Sequence, residues 1–204
     1  MILISQPKSA STSMLNTLRK IGGLKGCRYS NPKSDIYYYE GLTLPHNNFQ
    51  EITDVEHLKA AMASATKLYQ LHLPPTKNNR KIVKNTKAKV LILLRDPAGS
   101  VEGYTRHIYS GRGHNYARTK KKAGEHLKVL TWFNNKWRSF AKNNPAALVI
   151  NFEDIVLDNK KYIRQAIKFL DIPIVKNVTK LKRFRFTGEG MKKAKLNKRK
   201  NWRK

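Results

Sequence analysis

The stretch Ile2-Leu3-Ile4-Ser5-Gln6-Pro7-Lys8-Ser9-Ala10-Ser11-Thr12-Ser13, near the start of the chain, determines the predicted fold. It begins with a short apolar run and continues into a loop of small hydroxyl residues. Apolar side chains then recur at the spacing of a helix, at Met14, Leu15, Leu18 and Ile21. We therefore expect a strand, a loop and a helix, with Gly22-Gly23 at the helix end because glycine tolerates the left-handed conformation there.

Apolar runs and helical patterns alternate along the rest of the chain. Val90–Leu94 is apolar throughout, as expected for a parallel strand that is covered on both faces. Shorter or weaker strand patterns cover residues 36–39, 68–71 and 147–152, helical patterns cover 54–67, 124–143 and 160–170, and residues 26–34 read as a loop. Strands that alternate with helices predict an α/β fold with a central, mostly parallel β-sheet flanked by helices. We expect one domain over residues 1–190 and a basic tail over 191–204, which its composition predicts to be disordered unless a ligand or partner orders it.

The chain carries a large excess of positive charge. Its 204 residues include 42 Lys and Arg against 13 Asp and Glu, a formal net charge of +29. Such a charge favours anionic partners, among them a polyanionic nucleotide, an acidic acceptor or a nucleic acid. The apolar runs are far shorter than the roughly 20 residues of a bilayer span, so no membrane span is expected. The single cysteine, Cys27, and the strand that follows Met1 directly favour a cytoplasmic location.

The loop at the end of the first strand is a candidate anion site. In open α/β sheets, ligands bind at the carboxyl ends of the strands. Backbone N–H groups and the side chains of Ser9, Ser11 and Thr12 can converge there on phosphate oxygens, at the positive N-terminus of the following helix. Lys8 adds a point charge. The loop lacks the glycines of the nucleotide-triphosphate motif, and an ordinary helix cap beside a solvated lysine is the alternative.

A second candidate cluster begins where the central strand ends. The guanidinium of Arg95 has the planar geometry that suits bidentate phosphate binding. Four residues of the following segment share one face of a helix, namely Ser100, Gly103, Tyr104 and His107. The alternative for Arg95 is an ion pair with Asp96 or Glu102.

These two clusters, in this order, resemble the sulfotransferases that use 3′-phosphoadenosine-5′-phosphosulfate (PAPS). The family's first motif, Pro-Lys-Ser-Gly-Thr-Thr, reads Pro7-Lys8-Ser9-Ala10-Ser11-Thr12 here, with Ala10 in place of glycine. The resemblance implies that residues 8–13 bind the 5′-phosphosulfate end of the donor, through Lys8, Ser9, Ala10, Ser11, Thr12 and Ser13. The second motif matches at Arg95-Asp96-Pro97, which implies that Arg95 binds the 3′-phosphate. Gly103 occupies the position of the family's serine, with Ser100 or Thr105 as substitutes.

Further matches lie between and after these motifs. Leu71-His72-Leu73-Pro74 resembles the segment that supplies the acceptor-activating histidine in cytosolic sulfotransferases, with Gln70 where a lysine usually lies two positions earlier. Residues 148–155 and 169–172 are similar to two fold markers of the family. A C-terminal segment in the family closes over the 3′-phosphate, and Arg185 and Gly188 are the candidates here, with a disordered basic tail as the alternative.

The resemblance implies transfer of a sulfuryl group from PAPS to a hydroxyl or amine, with 3′-phosphoadenosine-5′-phosphate (PAP) as the product. His72 would act as general base, Lys8 would stabilise the leaving phosphate and Arg95 would anchor the 3′-phosphate. No metal is required, and no Cys/His pairing has zinc spacing. We expect a small-molecule or glycan acceptor whose identity the sequence does not give, and the positive field favours an acidic one.

Three other functions stay open at the level of the sequence. The first is a P-loop kinase of small metabolites, which should carry glycines before the lysine. The second is a nucleic-acid-binding protein without catalysis, which the charge and the residues Lys198-Arg199-Lys200 favour. The third is an inactive sulfotransferase, because Gly103 and Gln70 depart from the family pattern.

Overall fold

The computed structural model describes residues 1–7, 9–28, 36–37, 49–50, 52, 55–62, 66–109 and 116–175. The strands of this part are β1 (Ile2–Ser5), β2 (Lys25–Arg28), β3 (Ile36–Tyr37), β4 (Phe49–Gln50), β5 (Lys67–Leu71), β6 (Val90–Leu94) and β7 (Ala147–Asn151). The helices are α1 (Ser11–Gly22), α2 (Val55–Met62), α3 (Lys77–Asn85), α4 (Pro97–Tyr109), α5 (Tyr116–Lys142), α6 (Phe152–Leu157) and α7 (Asn159–Leu170). Lys8, Arg185, Gly188 and the expected tail at 191–204 lie outside the described residues.

The central sheet has the strand order β2-β5-β1-β6-β7, and each neighbouring pair is parallel. Ile2 of β1 lies opposite Tyr69 of β5 on one side and opposite Val90 of β6 on the other. The predicted α/β fold with a mostly parallel sheet is therefore confirmed. Because all strands run in one direction, the carboxyl ends of β1, β5 and β6 meet at one edge of the sheet.

The alternation of side chains along each strand divides the core into two layers. Ile2, Ile4, Ile92 and Leu94 face one layer, which helices α2, α3 and α5 cover with buried side chains such as Leu58, Val83, Phe133 and Trp137. Leu3, Leu91 and Leu93 face the opposite layer, which α1 and α7 cover with Met14, Leu18, Ile163 and Ile167. The uninterrupted apolar run of β6 is thus explained, because both of its faces are buried in a three-layer sandwich.

Several elements differ from the expectations. Residues 25–28 are an edge strand, β2, and not part of a loop; they pair with β5 through backbone groups, which an apolar pattern does not report. The pattern at 36–39 forms β3, which pairs with β4 in a separate antiparallel sheet and not in the central one. Helix α3 was not expected, and α5 begins eight residues before the predicted start at Gly124. The predicted strand at 147–152 ends one residue early, since Phe152 begins α6.

Candidate active site

Helix α1 begins at the carboxyl end of β1 with an unusual cap. Its N-cap residue is Ala10, with φ 62° and ψ 27°, in the left-handed region that disfavours side chains with a Cβ. Alanine also has no side-chain oxygen with which to accept a bond from the first N–H groups of the helix, which lack intrahelical partners. The start of α1 therefore presents N–H groups and the positive end of a dipole, the features of an anion site. The same φ explains why glycine suits this position.

The hydroxyl groups of the loop divide between structural and solvent-facing positions. Ser9 is fully buried, and its Oγ donates to the carbonyl oxygen of Gln6 at 2.6 Å, which closes the turn. Ser11 is also buried, and its Oγ accepts a bond from Nε2 of Gln70 at 2.8 Å. The O–H group of Ser11 is not used in this bond, so it can donate to another group. Thr12 is exposed and Ser13 is half-buried, so both lie at the surface of this corner.

Arg95 directly follows β6, beside the end of β1. Its guanidinium carbon lies 4.4 Å from the centroid of the Phe152 ring, a cation–π contact that fixes the side chain against the start of α6. Its backbone N–H donates to Oε1 of Gln6 at 2.7 Å, and its carbonyl oxygen accepts from Nδ2 of Asn134 at 2.8 Å. The backbone of Arg95 is thus fixed by one side chain that follows β1 and by one on α5. Arg95 lies one strand away from the loop that precedes α1.

Two further residues of the predicted 3′-phosphate cluster lie on α4. Ser100 is fully buried, and its Oγ accepts a bond from Nε2 of Gln6 at 2.9 Å, so its oxygen faces the end of β1. Gly103 is half-buried on the same helix. Asp96 caps α4 by accepting from the backbone N–H of Gly99 at 2.7 Å.

His72 follows β5 at the same edge, on the other side of β1 from Arg95. Its Nδ1 lies 2.8 Å from the carbonyl oxygen of Ser5 and 3.3 Å from Ser5 Oγ. A carbonyl oxygen only accepts, so the proton of the neutral ring lies on Nδ1 and the lone pair on Nε2. This is the tautomer in which Nε2 can accept a proton.

The segment after His72 is fixed by two buried side chains. Nε1 of Trp137 donates to the carbonyl oxygen of Leu73 at 3.0 Å, and Nδ2 of Asn79 donates to that of Pro74 at 2.9 Å. Both side chains are fully buried, and Trp137 also packs edge-on against Phe133 and Phe140. Phe133 and Trp137 are thus core residues, and Trp137 in addition holds the backbone that follows His72.

A cavity of about 580 Å³ lies next to Arg95, between the start of α4, helix α5 and the end of β7. Its lining includes the polar side chains of Asp96, Asn134, Arg138 and Glu153. In the described ranges, no group of three or more His, Cys, Asp or Glu side chains is placed to hold a metal ion. None of the helices in this part of the chain has the length and apolar composition of a bilayer span.

The structure brings together the described members of the predicted site at one sheet edge: residues 9–13, His72, Arg95, Ser100 and Gly103. Sequence reasoning missed Gln6, Asn79, Asn134 and Trp137, which hold these residues in place. The one signal in the sequence for the role of Gln6 is its position as a polar residue between an apolar strand and a proline. Asn134 and Trp137 lie on α5, far away in sequence from the residues that they hold. Asn79 lies close in sequence, on α3, but this helix carries too few apolar residues to be predicted.

Comparison with known proteins identifies a family and similar folds. The profile of the sulfotransferase domain family matches residues 1–204. A sulfotransferase from Alicyclobacillus acidocaldarius has a similar fold, with a TM-score of 0.53 and 15% identity, over 86% of this chain and 82% of that one. A mouse sulfotransferase in complex with PAP gives a TM-score of 0.55 and 15% identity, over 97% of this chain and 62% of that one. No sequence among the curated proteins matches significantly.

The match to the family profile covers the whole chain, and the two similar structures share its α/β fold. The described residues of the motifs at 7–12 and 95–97 lie at the sheet edge where such a fold binds ligands. The chain therefore belongs to the sulfotransferase family and is an enzyme of sulfuryl transfer.

Proposed function

We propose that the chain transfers a sulfuryl group from PAPS to a hydroxyl or amine of an acceptor, and that the donor lies across the carboxyl ends of β1 and β6. The observation that carries this proposal is the adjacency of two anion sites on neighbouring strands. The uncapped start of α1 follows β1, and Arg95 follows β6. Neighbouring strands lie about 4.8 Å apart, so one nucleotide with two phosphate groups can reach both sites.

The start of α1 would bind the 5′-phosphosulfate end of the donor. The N–H groups of residues 11–13 and the hydroxyl of Ser11 point to this corner as donors, and Lys8, which the structure does not describe, would add a positive charge. These groups stabilise the negative charge that develops on the leaving phosphate, much as they do in phosphoryl transfer. Ser9 shapes the loop through Gln6 and is not assigned a contact with the donor.

Arg95 would bind the 3′-phosphate. Its contact with Phe152 and the two bonds to its backbone restrict its motion before the ligand arrives, which lowers the entropy cost of binding. Arg185 and Gly188 stay candidates for further contacts with this phosphate. We assign Ser100 to the support of Gln6, because its side chain is 0% exposed and bonds to Gln6 in the interior.

His72 would act as the general base. Since Nδ1 donates to Ser5, Nε2 is the atom that removes the proton from the acceptor hydroxyl while the sulfuryl group moves to its oxygen. The acceptor would approach on the β5 side of β1, opposite Arg95. Its class stays a proposal: a small molecule or glycan, with an acidic one favoured by the net charge of +29.

Calorimetric titration with PAP and with adenosine 5′-phosphate tests the donor site. The two ligands differ by the 3′-phosphate that we assign to Arg95. A charge-assisted contact contributes about 1.5 to 3 kcal/mol, so we expect PAP to bind roughly 10- to 150-fold more tightly. Equal affinity for both nucleotides, or binding of neither, would refute the proposal. Salt-dependent binding to DNA in the absence of PAP binding would favour the nucleic-acid function instead.

A further inference from the structure

We propose that Gln6 is a positioning residue that sets the separation of the two phosphate sites, and thereby determines how strongly the enzyme prefers a nucleotide with a 3′-phosphate. This inference rests on the proposed donor site. Gln6 lies between the end of β1 and the loop that opens α1, and it contacts both halves of that site.

Gln6 makes hydrogen bonds to β6 and the residue after it, to α4 and to the loop before α1. Its backbone N–H donates to the carbonyl oxygen of Leu93 at 2.9 Å, which extends the pairing of β1 with β6. Its side chain then accepts at Oε1 from the Arg95 backbone at 2.7 Å and donates from Nε2 to Ser100 Oγ at 2.9 Å. Its carbonyl oxygen accepts from the hydroxyl of Ser9 at 2.6 Å.

Burial makes these contacts hard to replace. Gln6 and Ser100 are both 0% exposed, so a lost partner leaves a polar group in the protein interior without water to replace it. An amide is also the one uncharged side chain of this length that accepts with one atom and donates with the other. A carboxylate would bring a buried charge to this position, and an apolar side chain would leave the Arg95 N–H without its acceptor.

The same residue therefore joins the loop of the 5′ site to the arginine of the 3′ site. One nucleotide gains from both phosphates only if the two sites hold the right separation at the same moment. Without the hydrogen bonds of Gln6, each site can still bind one phosphate. The distance between the sites then no longer matches the distance between the two phosphates of one nucleotide, so the 3′-phosphate contacts Arg95 less well. The loss should fall on the contribution of the 3′-phosphate and not on the binding of the 5′-phosphate.

Titration of Gln6→Met and Ser100→Ala with PAP and adenosine 5′-phosphate tests whether the loss falls on the 3′-phosphate alone. Methionine keeps the length of the side chain and removes both amide bonds. We expect the ratio of the two dissociation constants to fall about tenfold in Gln6→Met and several-fold in Ser100→Ala, while affinity for adenosine 5′-phosphate changes less than about threefold. Gln165→Met is the control, because Gln165 is exposed on α7, and its ratio should equal that of the wild type.

The outcomes separate this inference from the proposed function. If the wild type does not distinguish the two nucleotides, the donor site itself is wrong. If the wild type distinguishes them and the ratio is unchanged in both variants, or both affinities fall by one common factor, Gln6 has a merely structural role and the inference is overturned. Should Gln6→Met fail to fold, Ser100→Ala decides by the same ratio, since it keeps the bond from Arg95 to Gln6 and breaks only the second half of the bridge.

Discussion

Nδ1 of His72 donates to the carbonyl oxygen of Ser5 across a distance of 2.8 Å, which joins the residue after β5 to the last residue of β1. Ser5 is fully buried, so its carbonyl oxygen is a fixed reference for the ring. This bond fixes the ring in the tautomer whose Nε2 can accept a proton, at the edge of the sheet where α1 begins.

We expect His72→Asn to abolish sulfuryl transfer and to leave PAP affinity nearly unchanged. Asparagine can still donate to Ser5 from its amide nitrogen, but it cannot accept a proton at neutral pH, and a general base contributes about 100- to 10,000-fold to the rate. The measurements are the rate of PAP formation from PAPS with an acceptor that the wild type uses, and calorimetry with PAP. A large loss of PAP affinity would contradict the role of His72 as a base.

Replacement of Arg95 by lysine should weaken PAP binding about 10- to 100-fold, with little effect on adenosine 5′-phosphate. Lysine keeps the charge, but it lacks the planar pair of donors that binds two phosphate oxygens and contacts the Phe152 ring. Arg164→Lys, on the exposed face of α7, is the matched control and should bind both nucleotides as the wild type does. Equal losses for the two nucleotides in Arg95→Lys would place Arg95 away from the 3′-phosphate.

The left-handed backbone of Ala10 leads to a prediction about stability. A residue with a Cβ pays about 1 to 2 kcal/mol in this conformation, and glycine offsets part of that gain through its larger entropy in the unfolded chain. Ala10→Gly should therefore raise the free energy of unfolding in urea by up to about 1 kcal/mol. Gly23 adopts the same region at φ 62°, and Gly23→Ala should lower stability by a similar amount. Destabilisation by Ala10→Gly would contradict the strained geometry at the loop.

Trp137→Phe should lower the free energy of unfolding by about 2 to 3 kcal/mol. The change leaves the carbonyl oxygen of Leu73 without its donor in the core and removes part of a fully buried ring. Trp132→Phe is the control, because Trp132 is half-buried and packs at the margin of the same cluster. Urea denaturation compares the two, and equal losses would show that the bond to Leu73 has no special value.

The strands that form the centre of the sheet could be predicted from sequence, because their burial on both faces imposes apolar runs. The apolar patterns locate β1, most of β5 and β6 in this way. The edge strand β7 is predicted from its apolar run at 147–150, although only Ile150 of this strand is buried. The edge strand β2 was missed, since Lys25-Gly26-Cys27-Arg28 pairs through its backbone and carries no apolar run. Helix α3 was missed for a related reason: only Ile82 and Val83 supply apolar burial, and a buried asparagine, Asn79, occupies its inner face.

The candidate site likewise contains residues that the sequence predicts and residues that it does not. Residues that would touch the donor belong to short motifs beside strand ends, and they were predicted. The residues that position them act across distances of many residues in sequence: Gln6 on Arg95, Asn134 on the Arg95 carbonyl, and Gln70 on Ser11. Such contacts depend on the packing of the sheet and helices, so they became visible only in three dimensions.

A crystal structure of the enzyme with PAP tests the assigned donor site most directly. We predict that the 5′-phosphate accepts from backbone N–H groups at residues 11–13, and that the 3′-phosphate lies within about 3 Å of the guanidinium of Arg95. A complex in which the two phosphates are exchanged, or in which neither contacts these residues, would contradict the assignment.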